Sequence, residues 1–301
     1  MGPSLTVLAR RAAEQAGHPL EIVAASRFSN NATRRWLEER GVCTIACDLL
    51  DPQSLRRLPE VENIIYLAGQ KFGTTQNPSA TWAINTLAPA AVCIRYPTSR
   101  ITALSSGSIY PFTLVRNGGA LESEPLTPLG EYANACVARE RIFEHFSRQN
   151  GTPVALVRLF YAVELRYGVL VDLAQKVFNR EPVDLSVGYL NWIWQGDAND
   201  LILRSLALAR TPPEPLNLTH PKIQPVRSLA VKFGEIMGRD VQFVGHEADN
   251  ALLGNPTRLC AQLGEPATPL DRVMRWTAHW ILHQGRLLGK PTHFEVRDGN
   301  Y

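Results

Sequence analysis

The chain has 301 residues, 45% hydrophobic and 20% charged, with a formal net charge of +3. This ordinary globular composition excludes wholesale disorder, a collagen and a disulfide mini-scaffold, and the near balance of charge gives no nucleic-acid footprint. At roughly 100–200 residues per domain, the length fits one large domain or two ordinary ones.

In the first half, short apolar runs alternate with longer amphipathic segments, the rhythm of βαβ units and a parallel sheet. Helices are expected over 5–17, closed by Gly17, over 32–40, stopped by Gly41, and over 52–57, 78–95 and 130–149. Strands are expected over 20–26, 42–48, 63–68, 100–105 and 153–163. Pro89 lies inside the 78–95 helix and should kink it. In the second half the pattern predicts helices over 170–179, 199–210, 226–238, 256–263 and 270–284, and strands at 192–194, 215–219 and 241–244. No internal repeat or low-complexity tract is present. The tail, 285–301, mixes aromatic and charged residues and reads equally as a cover for a crevice or a surface strap.

The 5–16 segment is amphipathic and carries Arg10 and Arg11, so it is no signal peptide, and no apolar run reaches the ~18 residues of a membrane span. A soluble, cytoplasmic chain is expected. Five scattered cysteines (Cys43, Cys47, Cys93, Cys136, Cys260) read as reduced thiols, and no second pair accompanies Cys43 and Cys47 to make a metal site. His220, His246, His279, His283 and His293 form no catalytic or metal pattern. Lysine is scarce: Lys71, Lys176, Lys222, Lys232 and Lys290 stand against 26 arginines.

Sheets of this kind bind ligands beyond the carboxyl ends of their strands. After the first strand, Arg27 favours a 2′-phosphate, or is a solvated loop residue. After the second, Asp48 can accept from an exocyclic amine and Leu49 can cover an adenine, or Asp48 serves the helix that follows. After the third, Ala68 and Gly69 let a ligand lie against the strand end, and Lys71 stands in the loop. After the fourth comes Ser105-Ser106-Gly107-Ser108-Ile109-Tyr110, whose hydroxyls can bond a substrate oxygen. Tyr132 then opens the long helix. A tyrosine, with a pKa near 10, becomes a general base near neutral pH only beside a cation that stabilises the phenolate. A Lys one turn later would do so; that position is Cys136.

Taken in order, Cys47-Asp48-Leu49, Ile65–Gly69, Asn85 in WAINTLAP, the 105–110 segment, Tyr132 and Val157-Arg158-Leu159 resemble the extended short-chain dehydrogenase/reductase superfamily, the NAD-dependent epimerase/dehydratase family, over roughly residues 1–285. The 195–200 segment is similar to the acidic stretch these proteins place before a helix, and 256–264 to their late substrate-domain helix. The resemblance implies an α/β fold: a Rossmann-type doubly wound parallel sheet with a smaller C-terminal α/β substrate domain. The nucleotide-binding domain would span 1–165 and the substrate domain 166–301, with about 191–219 returning to the nucleotide-binding sheet.

The same resemblance assigns roles. Ser106 would bond the substrate hydroxyl or carbonyl, and Tyr132 would move its proton while a nicotinamide takes or gives hydride. Asp48 and Leu49 would contact adenine, Ala68 and Gly69 the central part of NAD or NADP, and Asn85 and Tyr132 the inner cofactor pocket. The substrate would be a nucleotide-sugar or a similar hydroxy or keto compound, with no nucleic acid or membrane as partner. A homodimer is expected through the 78–95 and 130–149 helices, with Ala83, Leu87, Ala91 and Ile94 facing the partner.

Two departures stand out. The family opens with a strand and a G-x-x-G-x-x-G turn, whereas this chain opens Met1-Gly2-Pro3-Ser4-Leu5. Gly2 resembles the last glycine of that turn, and the strand and the first two glycines have no counterpart. A start upstream of Met1 is expected, and without that strand the sheet should expose apolar edges. The family's catalytic Lys is Cys136. Lys71, from the loop bordering the same crevice, is the preferred replacement; Arg139, seven residues after Tyr132, is the second. The expected protein is an NAD(P)-dependent oxidoreductase or isomerase with an atypical site, the alternative a non-catalytic ligand-binding or structural member of the same fold.

Overall fold

Four parallel strands pair in the order Glu214–Leu218, Val154–Leu159, Arg100–Ser106, Asn63–Tyr66. The computed structural model describes residues 1–290, 292 and 294–297; His293, with 291 and 298–301, lies outside the described residues. Parallel neighbours need crossover helices. Residues 78–95 cross between the 63–66 and 100–106 strands, Gly130–Asn150 crosses to Val154–Leu159, and Gln195–Arg204 precedes Glu214–Leu218. Helices cover both faces, so the central 154–159 strand is buried along nearly its whole length and is apolar except at Arg158.

On one face Tyr66, Val92, Cys93, Ile101 and Phe143 form a core. On the other, Leu5, Val157, Ile193, Leu201 and Leu216 do so beneath the Gly2–Gln15 helix. A third core, around Leu185, Trp192 and Phe233, gathers the helices Val169–Asn179, Val226–Met237 and Leu270–Leu282. Burying each such large apolar side chain is worth about 1.5–3 kcal/mol. The doubly wound sheet expected from the rhythm of the sequence is present.

The sheet is also split. Val23–Ser26 and Cys43–Ala46 pair in parallel with each other, and among the described residues neither joins the four-stranded sheet. The 23–26 and 63–66 strands therefore each keep an unpaired edge, and Ala25 and Ser26 are exposed.

Several elements differ from expectation. The 153–163 run is two strands. At Phe160 the chain turns out of the ladder, its N–H donating to Leu218 O and Ala162 N–H folding back to Phe160 O. Tyr161–Val163 then pairs with Trp192–Trp194. The turn places the Phe160 ring against Gly107, where a Cβ would stand 2.5 Å from the ring. The helix expected over 199–210 starts at Gln195 and ends at Arg204, followed by a 3₁₀ turn over Ser205–Leu208. The 195–200 segment thus lies inside the helix rather than before it. Asp197 sits in the first turn, where a carboxylate suits the helix dipole, and accepts from Thr268 N and Oγ1.

The 78–95 helix does not break at Pro89. It widens into a π-turn over Ala83–Leu87, because Pro89 cannot donate to the Asn85 carbonyl and its ring crowds it. Two-residue pairings such as Thr113–Leu114 with Asn250–Ala251 were too short to show any period in the sequence. The described part of the tail crosses residues 164–172. Leu288 N donates to Arg166 O, Thr292 N and Oγ1 donate to Asp172, and Phe294 is buried in the third core. Among the described residues no helix is long and apolar enough to cross a membrane.

Candidate active site

Ser106 ends the 100–106 strand and is buried. Its hydroxyl accepts from Ser108 N at 3.2 Å and donates to Ser108 Oγ at 3.1 Å, and it shares a hydrogen bond with the Tyr132 hydroxyl. Tyr132 lies in the first turn of Gly130–Asn150. That helix is fixed against the sheet by a buried ion pair one strand over: Arg158 Nε and Nη2 donate to the two Glu140 carboxylate oxygens at 3.0 and 2.8 Å. Arg158 also donates to the Tyr110 hydroxyl and to Glu122 O, and Tyr110 donates to Asn217 Oδ1 at 3.0 Å. Helix, strand end and loop are thereby held in one register.

One turn after Tyr132, the buried Cys136 thiol shares a hydrogen bond with the tyrosine hydroxyl. Its sulfur accepts from Arg139 Nη2 at 3.2 Å. Arg139 Nη1 donates to Ala68 O and to Asn85 Oδ1, each at 3.2 Å. Asn85, in the π-turn, donates to Thr81 O at 2.9 Å and to Gln70 O at 3.3 Å. Gly69 leaves room for this convergence, since a Cβ there would meet Arg139 Nη1 at 2.6 Å and Asn85 Oδ1 at 3.0 Å. The strand end at 68–70, the π-turn and the 130–150 helix therefore meet on one guanidinium.

Burial pushes the Tyr132 phenol well above its ordinary value; Cys136 adds to the rise, while Arg139 and the Ser106 hydrogen bond oppose it. Burial raises Cys136 too, against Arg139, Tyr132 and Lys71. Lys71 is lowered by burial, and its Nζ lies 3.5 Å from the Tyr167 hydroxyl. Near neutral pH the cluster therefore presents a protonated Tyr132 beside Ser106, a pair able to donate to a substrate oxygen.

The structure thus brings Ser106, Tyr132, Ala68, Gly69 and Asn85 together around Cys136 and Arg139, with the Lys71 charge acting on Cys136. The others stand apart from that cluster. Gly2 opens the first helix, and a Cβ on it would lie 4.0 Å from Leu67 Cδ1. Arg27 is exposed after the 23–26 strand. Asp48 Oδ1 accepts from Leu50 N at 3.0 Å, bracing its own turn, and Leu49 packs on the first core. The residue that caps Pro52–Arg56 is Asp51.

Sequence reading missed the partners of Arg158. Glu140 was within reach of it, lying eight residues after Tyr132 on the same helix face. Asn217, Glu122 and Tyr167 come from distant segments and carried no local signal.

The family model described as NAD dependent epimerase/dehydratase family matches residues 6–164. No curated protein matches the chain. Among solved structures, the UDP-glucose 4-epimerase of Thermus thermophilus in complex with NAD is 16% identical, with a TM-score of 0.74 over 92% of this chain and 94% of that one. The dTDP-glucose 4,6-dehydratase of Streptomyces venezuelae with NAD and TYD bound is 17% identical, with a TM-score of 0.75 over 93% of each chain. RMD from Pseudomonas aeruginosa complexed with NADPH is 17% identical, with a TM-score of 0.69 over 85% of this chain and 98% of that one.

Proposed function

The chain belongs to the NAD-dependent epimerase/dehydratase family, and from that premise we propose that it is an NAD(P)-dependent enzyme acting on a nucleotide-sugar or a similar hydroxy or keto compound in the cytoplasm. The observation that carries this reading is the hydrogen-bonded Ser106–Tyr132 pair at the end of the 100–106 strand.

The residues present fit a dinucleotide along the strand ends. Gly69 keeps its segment bare beside Asn85, and Asp48 offers a half-buried carboxylate. Asp48 and Leu49 would hold the adenine, Arg27 a 2′-phosphate, Gly2 the phosphates at its helix N-terminus, Ala68 and Gly69 the middle, and Asn85 and Tyr132 the inner end. A nicotinamide bound there supplies or takes up the hydride at the substrate carbon. Ser106 holds the oxygen on that carbon, and Tyr132 gives or takes its proton. Since burial keeps Tyr132 protonated, donation to a carbonyl oxygen is the step this site favours near neutral pH. Lys71, beside Tyr167, brings a catalytic ammonium to the substrate side.

Residues 1–165 would form the nucleotide-binding domain and 166–301 mainly the substrate domain, with about 191–219 returned to the sheet. Leu87 and Ile94, 62% and 67% exposed and seven residues apart on one helix face, suit a homodimer contact. A non-catalytic ligand-binding member is the second reading, favoured by a neutral thiol at Cys136 where a cation is needed.

Titrating the full chain with NAD(H) and NADP(H), followed by assays on nucleotide-sugars, tests the proposal. Saturable binding of one dinucleotide is expected, with turnover that falls about 10²–10⁴-fold in Tyr132→Phe while binding persists. Absence of binding overturns the reading, and binding without turnover selects the non-catalytic one.

A further inference from the structure

We propose that Arg139 supplies the positive charge that answers the Tyr132 phenolate, reaching it across the thiol of Cys136 as a positioning residue for the proton that Tyr132 moves, while Lys71 serves the substrate side. The inference rests on the role given to Tyr132 above. It replaces neither Ser106 nor Tyr132; it says what answers the phenolate in a site whose helix has a thiol one turn on.

Arg139 is a buried cation whose hydrogen-bond partners are all neutral. They are Cys136 Sγ, Ala68 O and Asn85 Oδ1, and its Nε has no partner. Among the described residues it makes no ion pair, and the nearby Glu140 is engaged at both oxygens by Arg158. A guanidinium taken out of water without an anion is costly. The ionisable groups whose charges act on it are Cys136, Tyr132, Tyr66 and Glu140. Glu140 is already neutralised, and Tyr66 stands edge-on to Phe143 in the apolar core. Cys136 and Tyr132 remain, hydrogen-bonded to each other. Lys71 faces Cys136 from the loop side, with Asp172 acting on Lys71 in turn.

Geometry explains why this residue is an arginine. Seven residues separate it from Tyr132, so both lie on one helix face two turns apart. Only a fork can hold the sulfur with one nitrogen and the Ala68 carbonyl and Asn85 with another. The bare Cα of Gly69 is what lets the strand end close on that fork. When Tyr132 has given up its proton, the more acidic thiol passes its hydrogen to the phenolate oxygen, and the resulting thiolate rests against the guanidinium at 3.2 Å. The charge of a lysine is thus delivered from one turn farther along the helix.

A fluorinated tyrosine placed at position 132, whose more acidic phenol titrates within the stable pH range, gives one ¹⁹F resonance to follow in the full chain without cofactor or substrate. Arg139→Gln is expected to raise its midpoint by about one unit, a tenfold change in the acid constant. Lys71→Met should move it by no more than a few tenths, and Cys136→Lys in the Arg139→Gln background should bring it back down. An unchanged midpoint in Arg139→Gln, or an equal shift in Lys71→Met, overturns the proposal. Should the Gln chain not fold, Arg139→Lys decides: its shorter stem withdraws the charge, and a midpoint that does not rise by about half a unit has the same consequence. Because the resonance is read without ligand, failure here is distinguishable from failure to bind a dinucleotide or turn over a sugar.

Discussion

Glu140 and Arg158 show how single residues hold the site. Both are buried, and each carboxylate oxygen meets its own guanidinium nitrogen. The attraction of such a pair largely offsets its desolvation, so its net stabilisation is small, but stranding one partner costs about 3–5 kcal/mol. Glu140→Gln keeps the shape and removes the charge. It is expected to lower unfolding stability by about 3 kcal/mol, read as a fall in the urea midpoint with an unchanged slope. A loss below about 1 kcal/mol would show that the pair does not fix the helix. Residues of this kind divide by how they are written in the chain. Ser106 and Tyr132 stand beside recognisable neighbours, and Glu140 lies at a helical spacing from Tyr132, so all three were readable. Asn217, Glu122 and Tyr167 reach the network only through tertiary contacts, and no local pattern marks them.

At the scale of the element, the 78–95 helix was readable at its ends, where Asn77 caps and Pro78 begins it, but its middle was not. Pro89 announced a disturbance without saying which kind, and the answer, a π-turn, sets Asn85 against Arg139. The 153–163 run hid its break for a similar reason: what the chain turns toward at Phe160 is Gly107, in the 3₁₀ turn that follows the 100–106 strand. Pro89→Ala restores an N–H that can donate to the Asn85 carbonyl, the bond an α-helical ladder requires. The π-turn is then expected to tighten and draw Asn85 away from the guanidinium. Hydrogen exchange should show a newly protected amide at position 89. Dinucleotide affinity should fall about tenfold, or ~1.4 kcal/mol. A fast-exchanging amide with unchanged affinity would mean that neighbouring packing, not the proline, imposes the π-turn.

Across the whole molecule, acidic groups that must stay protonated are built into the cores on which the site rests. Burial is the first cause of raised values at Tyr66, Tyr96, Tyr110, Tyr132 and Tyr167, and at Cys47, Cys93, Cys136 and Cys260. Cys93 is pushed from 9.0 to about 12, and Tyr110 and Tyr167 from 10.0 to about 12. A group whose folded value is raised contributes its full stability below its unfolded value and loses it as pH rises toward the folded one. Lys71, the Met1 amino group and His220, each lowered by burial, act in the opposite sense, but they are three groups against nine. The urea midpoint is therefore expected to hold steady from about pH 7 to 8.5 and to fall steeply above about pH 9, where thiols and then phenols of the unfolded chain ionise. At about 1.4 kcal/mol per unit, Cys93 alone accounts for up to ~4 kcal/mol by pH 12, so Cys93→Ala should flatten the early part of the decline. A midpoint constant to about pH 11 would refute the assignment. Because Tyr132 is among these groups and its phenol is held above the range where the fold is secure, the alkaline limit of any turnover should coincide with the loss of structure. The local titration of Tyr132 has then to be read with a more acidic phenol in its place.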